Sequence, residues 1–274
     1  MTIGTPIREH QSLADTHRQI WAQGDYALMA EEVMAPLGPI LVAAAGIGHG
    51  VRVLDVAAGS GNISLPAART GATVVSSDLT PELLQRSQAR AAEEGLKLQY
   101  QEANAHALPF GDNEFDTVIS AIGVMFAPDH QRAADELVRV CRRGGTIGLI
   151  SWTHEGFFGR MLATIRPYRP SLSAALPPSA LWGREAYIRG MLGDDVTNVE
   201  AQRGLLEVTR FETARGVHEY FKNHYGPTIE AYENIGGNTV LSAELDTQLI
   251  ELAEEYLSDG VMGWEYLLLT AEKR

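Results

Sequence analysis

Val51-Arg52-Val53-Leu54-Asp55-Val56-Ala57-Ala58-Gly59-Ser60-Gly61-Asn62 is the stretch from which the rest of this chain is read. An apolar run (Val51, Val53, Leu54, Val56) stops at a turn of small residues, and Ile63-Ser64-Leu65-Pro66-Ala67-Ala68 follows as the opening of a helix. The pattern predicts a buried strand, a glycine turn and a helix N-terminus, where backbone N–H groups face a ligand and side chains stay clear. Asp55 falls on the last part of that strand, and a second carboxylate, Asp78, closes the next one. Ala57 carries a Cβ, so its backbone is expected to avoid positive φ.

Downstream, strands and helices alternate. Thr73-Val74-Val75-Ser76-Ser77 is short, apolar and β-branched, the profile of a buried parallel strand. Thr80 reads as the N-cap of a helix with Pro81 at its first position, burying Leu83, Leu84 and Ala89 and stopping at Gly95. Further strands are expected at Leu96–Tyr100, Phe115–Ser120 and Thr146–Trp152, with a helix over Gln131–Cys141 closed by Gly144-Gly145. Right-handed crossovers between parallel strands make this an α/β, doubly wound, three-layer αβα sandwich.

The flanks are less regular. Residues 1–20 are polar, with His10 and His17 expected on exposed helix positions. Trp21, Tyr26, Leu28, Met29, Val33 and Met34 then supply apolar bulk, with a break between helices at Gly24-Asp25 and a second helix over Pro36–Ala45. Two readings stay open: helices packed on the sheet, or a lid whose rings Trp21 and Tyr26 cover a ligand. Residues 156–193, with Pro167, Pro170, Pro177 and Pro178, read as an irregular insertion. Val196–Phe211 returns to strand character with a bend at Arg203-Gly204, Thr213–Tyr225 and Ser242–Leu257 are helical, and Trp264–Thr270 is a final strand. The expected division is a helical cap over 1–48, a ligand-binding core over 49–155, and a cap insertion plus sheet-completing strands over 156–274.

With 274 residues, 45% of them hydrophobic, the chain can enclose a substantial core. A formal charge of −13 argues against nucleic acid or an anionic membrane as partner. The single cysteine, Cys141, excludes an intramolecular disulfide and a cysteine metal cluster, and it reads as a buried small hydrophobe. No metal-site spacing such as H-E-x-x-H is present. The N-terminal residues lack the apolar core of a signal peptide, and no apolar run approaches the ~20 residues of a membrane span, so a cytoplasmic location is expected. The acidic surface and apolar N-terminal region are compatible with a homo-oligomer.

Five ordered motifs carry a resemblance: V-L-D-V-A-A-G-S-G-N (53–62), S-S-D-L-T-P-E-L-L (76–84), N-A-H-A-L-P-F (104–110), F-D-T-V-I-S (115–120) and E-L-V-R-V-C-R-R-G-G (136–145). Over residues 50–152 the chain resembles the class I S-adenosylmethionine-dependent methyltransferases, in the small-molecule branch that includes ubiquinone-type and natural-product enzymes. The resemblance implies a Rossmann-like, mostly parallel seven-stranded sheet with an antiparallel last strand and a helical cap. It implies S-adenosyl-L-methionine as cofactor and S-adenosyl-L-homocysteine as product. Gly59 and Gly61 would let the backbone approach the methionine part, with Asp55, Ala57 and Asn62 beside them. Asp78 would take the ribose hydroxyls, and Leu79 and Leu108 would flank the adenine. Asn104 stands where the family usually has an aspartate at the adenine amino group, with Ala105 next to it. Tyr26, Ser120 and Met125 complete the expected cofactor wall. The family turn also more often begins with glycine where Ala57 stands, and these two departures bear on affinity.

The apolar segment Ser120-Ala121-Ile122-Gly123-Val124-Met125-Phe126 faces the expected crevice and points to a small, largely apolar acceptor. A secondary metabolite, methylated on carbon or oxygen, fits that description. An oxygen acceptor is helped by a base: His106, His130, His154, His218 and His224 are all candidates, His154 and the pair His224-Tyr225 are the best placed, and His130 reads as the start of the next helix. A carbon acceptor needs no base, and Trp152, Phe157, Phe158, Trp182, Tyr187, Tyr220, Phe221 and Tyr225 are rings that could face a developing cation. Two other classes stay open. The glycine turn alone permits a nicotinamide-dependent oxidoreductase, though Ser64 replaces the third glycine of G-x-G-x-x-G. A non-catalytic binding protein on the same scaffold is the other.

Overall fold

Strand β1 (Arg52–Val56) lies between β2 (Thr73–Asp78) and β4 (Phe115–Ala121), parallel to both, and its residues Val53 to Val56 are buried. The computed structural model that shows this describes residues 18–169 and 176–274; His10, His17 and Pro170 lie outside them. With β3 (Gln99–Glu102), β5 (Cys141–Trp152), β6 (Val196–Val208) and β8 (Val261–Lys273), the sheet runs β3-β2-β1-β4-β5-β8-β6. The first five strands are parallel, and β8 is antiparallel to both β5 and β6. A two-residue strand β7 (Leu257–Ser258) forms a hairpin with β8 and was not visible in the sequence.

A helix over residues 18–23 (α1) is followed by α2 (Tyr26–Glu32), whose N-cap Asp25 accepts the Leu28 N–H at 3.2 Å, and by α3 (Leu37–Ala44). The break at Gly24-Asp25 is as expected. Helix α3 comes so close to β5 that a Cβ on Gly148 would meet Leu41 and Ala45, each at 3.2 Å. Helix α4 (Ser64–Arg69) follows the glycine turn, and α5 (Pro81–Glu93) follows β2. Helix α5 buries Leu83, Leu84, Ser87 and Ala91; Ala89, expected inside, is exposed because the helical period selects Ser87 and Ala91.

Two sequence expectations in this half need correction. Thr80 stands at the N-cap of α5 with Pro81 first in the helix, as expected, but its hydroxyl makes no cap bond, and its own N–H is held by Asp78 Oδ1 at 2.8 Å. Gly144-Gly145 do not close a helix. Helix α6 (His130–Val140) ends at Val140, β5 begins at Cys141, and the glycines lie within the strand, where the register against β4 shifts. Cys141 is fully buried there, and burial pushes its thiol up to about 11.

The insertion forms α7 (Phe157–Ile165), short 3-10 turns at Arg166–Tyr168 and Ser179–Gly183, and α8 (Glu185–Leu192). Strand β6 pairs with β8 straight through Arg203 and Gly204; its irregularity falls between Thr197 and Glu200, so the expected bend was misplaced. Helices α9 (Ala214–His224) and α11 (Thr239–Tyr256) match expectation, and α10 (Gly226–Ile235), opened by Pro227, was missed. No single described helix is long and apolar enough to cross a membrane.

Candidate active site

The glycine turn holds three consecutive odd residues at positive φ: Ala57 (56°), Gly59 (56°) and Gly61 (88°). Ala57 therefore does what its Cβ was expected to forbid. Across from it, Ile122 at the end of β4 also sits at positive φ (66°), and a Cβ on Gly123 would fall 2.3 Å from the Ala57 carbonyl. Two non-glycine residues in a region L-residues avoid, at the carboxyl ends of adjacent strands, mark this as the strained point of the core. Ser120 Oγ ties the two strand ends together, donating to Val56 O at 2.6 Å and accepting the Val124 N–H at 3.1 Å.

Two buried carboxylates face the turn. Asp55 Oδ2 accepts from Ser64 Oγ at 2.6 Å, while Oδ1 is enclosed with no partner. Burial pushes the Asp55 carboxyl up to about 7, against the pull of the Ser64 bonds. Asp78 Oδ2 accepts the Gly59 N–H at 2.8 Å, so both its oxygens hold backbone N–H groups. Burial raises Asp78 as well, opposed by the Thr80 and Gly59 N–H bonds. A carboxylate offers about four lone-pair positions, so each oxygen keeps room for a further donor. The Asn104 side-chain oxygen accepts the His106 N–H at 3.0 Å and closes a small turn, with Ala105 half-buried inside it.

Helices α1 and α2 lie over this crevice. The Tyr26 ring is 3.4 Å from where a Gly59 Cβ would stand, and Arg18 Nε donates to the Leu79 carbonyl at 3.0 Å. The space left beside Tyr26, Asp55, Ala57 and Asn62 is about 20 Å³. Tyr26 meets Trp21 edge-on at 5.5 Å, and Trp21 meets Phe126 at 4.7 Å. Beyond those rings is a larger cavity of about 300 Å³, walled by Met125, Phe126 and Leu162 and by the insertion residues Leu176 to Leu181. His130, His154, Arg166, Arg169 and Arg184 also line it. Among the described residues, no group of three His, Cys, Asp or Glu is arranged to hold a metal.

A family model described as a methyltransferase domain matches residues 54–149, the segment that builds the turn, both carboxylates and β4. Residues 54–149 thus form a methyltransferase domain, and the chain around them has the Rossmann-like methyltransferase fold. An uncharacterized protein of Mycobacterium tuberculosis is 82% identical over the whole length of both chains. A demethylmenaquinone methyltransferase of Thermus thermophilus is 37% identical over 112 residues, covering 39% of this chain and 51% of that protein. Among solved structures, the YcgJ protein of Bacillus subtilis superposes with a TM-score of 0.58 at 18% identity, over 86% of this chain and 97% of that one.

In this chain the residues expected to hold the cofactor gather around the turn: Tyr26, Asp55, Ala57, Gly59, Gly61, Asn62 and Asp78. Gly61 is required by packing too, since a Cβ there would meet Ser87 Oγ at 2.3 Å. Leu79, Asn104 and Ala105 follow the ends of β2 and β3, and Met125 belongs to the larger cavity rather than the turn.

The base candidates separate. His154 lines the cavity. Its Nε2 is bonded to Arg184, and because a guanidinium only donates, Nε2 is the acceptor and the ring proton sits on Nδ1. His154 Nδ1 lies 2.8 Å from the Glu155 carboxylate without hydrogen-bond alignment. His224 packs its ring on Tyr220 at 5.0 Å and is absent from the described cavity wall. Tyr225 is 1% exposed, its hydroxyl has no partner, and burial pushes it upward, with the charge of Arg169 opposing. The aromatic residues expected to face a cation instead pack on one another: Trp152 stacks on Phe158 at 4.5 Å, and Trp264 stacks on Phe157 at 5.8 Å. Trp182 is fully buried. The rings that do line the cavity are Trp21 and Phe126.

Three functional placements escaped the sequence. His130 opens α6 as expected, yet it lines the cavity, bonds Tyr187 Oη at 3.0 Å, and is held down to about 4 by burial. Glu136 and Arg139 clamp the 104–110 loop: Glu136 accepts the Leu108 N–H at 2.6 Å, and Arg139 donates to Leu108 O and Phe110 O. Their i,i+3 spacing in E-L-V-R was the available signal.

Proposed function

We propose that this methyltransferase moves a methyl group from S-adenosyl-L-methionine to a small, largely apolar acceptor in the cytoplasm, releasing S-adenosyl-L-homocysteine. The observation that supports it is the adjacency of two unlike spaces. A polar cradle of glycine N–H groups and two buried carboxylates meets an apolar cavity of about 300 Å³ across the Tyr26–Trp21 contact. The cradle fits the cofactor. Asp55 Oδ1 is a buried acceptor lacking a donor, which an ammonium group would satisfy, and Asp78 retains lone pairs for a ribose diol.

When bound, S-adenosylmethionine supplies a methyl group on a positively charged sulfur. The protein's own residues then orient and exclude water. Gly59 and Gly61 permit close approach, Asp78 and Asp55 fix the two ends, and Leu79 with Asn104 would receive the adenine. Trp21 and Tyr26 shield the junction. For an oxygen acceptor, His154 Nε2 would take the proton once Arg184 releases it; His130, held neutral by burial, would offer a hydrogen bond. Carbon acceptors need neither. Either product suits secondary-metabolite tailoring.

Isothermal calorimetry with S-adenosylhomocysteine and with NADH tests the reading. Binding of the first and not the second is expected; NADH binding alone would make this an oxidoreductase site. Product mass and carbon-13 shift after labelled-methyl transfer identify the methylated atom.

A further inference from the structure

The larger cavity carries a charge pattern that runs against the rest of the molecule. The chain has 35 acidic and 22 basic residues, yet the described wall of the cavity holds three arginines and neither aspartate nor glutamate. All three come from the insertion: Arg166 and Arg169 from the turn after α7, and Arg184 from the residue that opens α8. Arg169 is compensated by Glu230, both largely buried. Arg166 Nη2 donates to the Leu176 carbonyl at 2.8 Å, which turns it along the cavity wall. Arg184 differs. Its partner is the His154 ring nitrogen, and among the described residues no carboxylate pairs with it. A guanidinium beside an apolar wall, satisfied by an imidazole and carrying four more N–H donors, favours an incoming oxyanion.

We propose that the cavity takes an amphiphilic anion: an apolar body against Met125, Phe126 and Leu162, and a carboxylate or phosphate head on Arg184. As the substrate class of the acceptor site, this rests on the methyltransferase reading; as a statement about the cavity's ligand, it does not. Head and body are recognised separately, the body by burial and the head by paired N–H donors.

The test uses the full chain and displacement of a fluorescent probe, anilinonaphthalene sulfonate, by octanoate, octyl phosphate and octan-1-ol. The two anions are expected to displace it at concentrations about tenfold or more below the alcohol, as charge-assisted bonds dictate. Whichever anion displaces better identifies the head. Arg184→Ala, an exposed position, is expected to weaken both anions about tenfold or more and leave the alcohol unchanged, with Arg184→Lys recovering part of the loss. Equal displacement by the alcohol overturns the proposal, as does anion selectivity that survives in Arg184→Ala. So does a loss of alcohol binding in Arg184→Ala that Arg184→Lys shares. Calorimetry with S-adenosylhomocysteine on the same preparation separates the two readings. Anion selectivity without homocysteine binding removes the methyltransferase function and keeps the anion site, and the opposite result does the reverse.

Discussion

Asp55 is closed in with one oxygen on Ser64 and the other without a donor, and this sets how its charge answers to pH. Its native value of about 7 lies above that of an unfolded aspartate, near 3.9. Between those values the native form holds a proton that the unfolded chain has shed. The contribution to stability is thus complete at about pH 4, falls as pH rises to about 7, and is level beyond, a span of roughly 4 kcal/mol. Asp55→Asn should lack this decline, so denaturant unfolding of the two proteins should diverge across that window; parallel curves would mean the native carboxyl ionises freely. Asp78 has the opposite duty of making bonds. Asp78→Ala is expected to weaken S-adenosylhomocysteine binding about tenfold or more in calorimetry, since charged hydrogen bonds are lost and the Gly59 N–H is left alone. Ala57 offers a cleaner backbone experiment. Left-handed alanine costs about 1 kcal/mol, so Ala57→Gly should raise the urea midpoint by up to about 1 kcal/mol of stability. A lower midpoint would show that the alanine methyl contributes packing worth more than the strain.

Helix α6 shows how a motif can be legible while its job is not. E-L-V-R was visible, but only the fold brings Glu136 and Arg139 beneath the 104–110 loop, where Arg139 bonds two carbonyls and two carboxylates. Arg139→Ala should cost about 1–3 kcal/mol, because carbonyls and carboxylates lose their donor together. Amide exchange in 104–110 should quicken while that in β1 and β2 does not. Strands β1, β2 and β4 were readable because burial on both faces leaves short β-branched runs with no competing pattern. Strand β5 was read five residues short, since Gly144-Gly145 signal a stop whether they end a helix or bulge a strand. Helix α10 hid because Tyr225 ends one helix and begins the next, leaving no loop to announce the change. The turn and its two carboxylates were legible, being built from one contiguous motif and the next strand's end. The cavity was not: His130, Arg166 and Arg184 come together only through the packing of α6 against the insertion.

At the scale of the whole molecule, Tyr26 and Ala30 of α2, with Met34 and Leu37, close the space at the turn to about 20 Å³, far less than a nucleoside occupies. For the proposed cofactor to enter here, α1 and the first turn of α2 must move; their ion pairs, Arg86 with Asp25 and Arg18 with Glu102, are partly exposed, whereas α3 is anchored in the core by Leu37 and Leu41. Hydrogen exchange across α1 and the first turn of α2 should be faster than in the sheet without ligand and should slow when S-adenosylhomocysteine is added. Unchanged exchange would mean this segment is a fixed wall. The order of the sheet has a different consequence, for the way the chain assembles. Strand β6 has β8 as its sole described neighbour, and β8 also covers the outer side of β5. When β6 leaves the ribosome its partner lies more than fifty residues behind it. Until β8 arrives, β5 shows an open parallel edge and β6 has nowhere to pair. Contacts of such long sequence separation form late and slowly, and exposed edges invite pairing with other chains. Synthesis arrested between β6 and β8 would then yield a chain with a complete glycine turn and an unfinished sheet, prone to join its neighbours instead of itself.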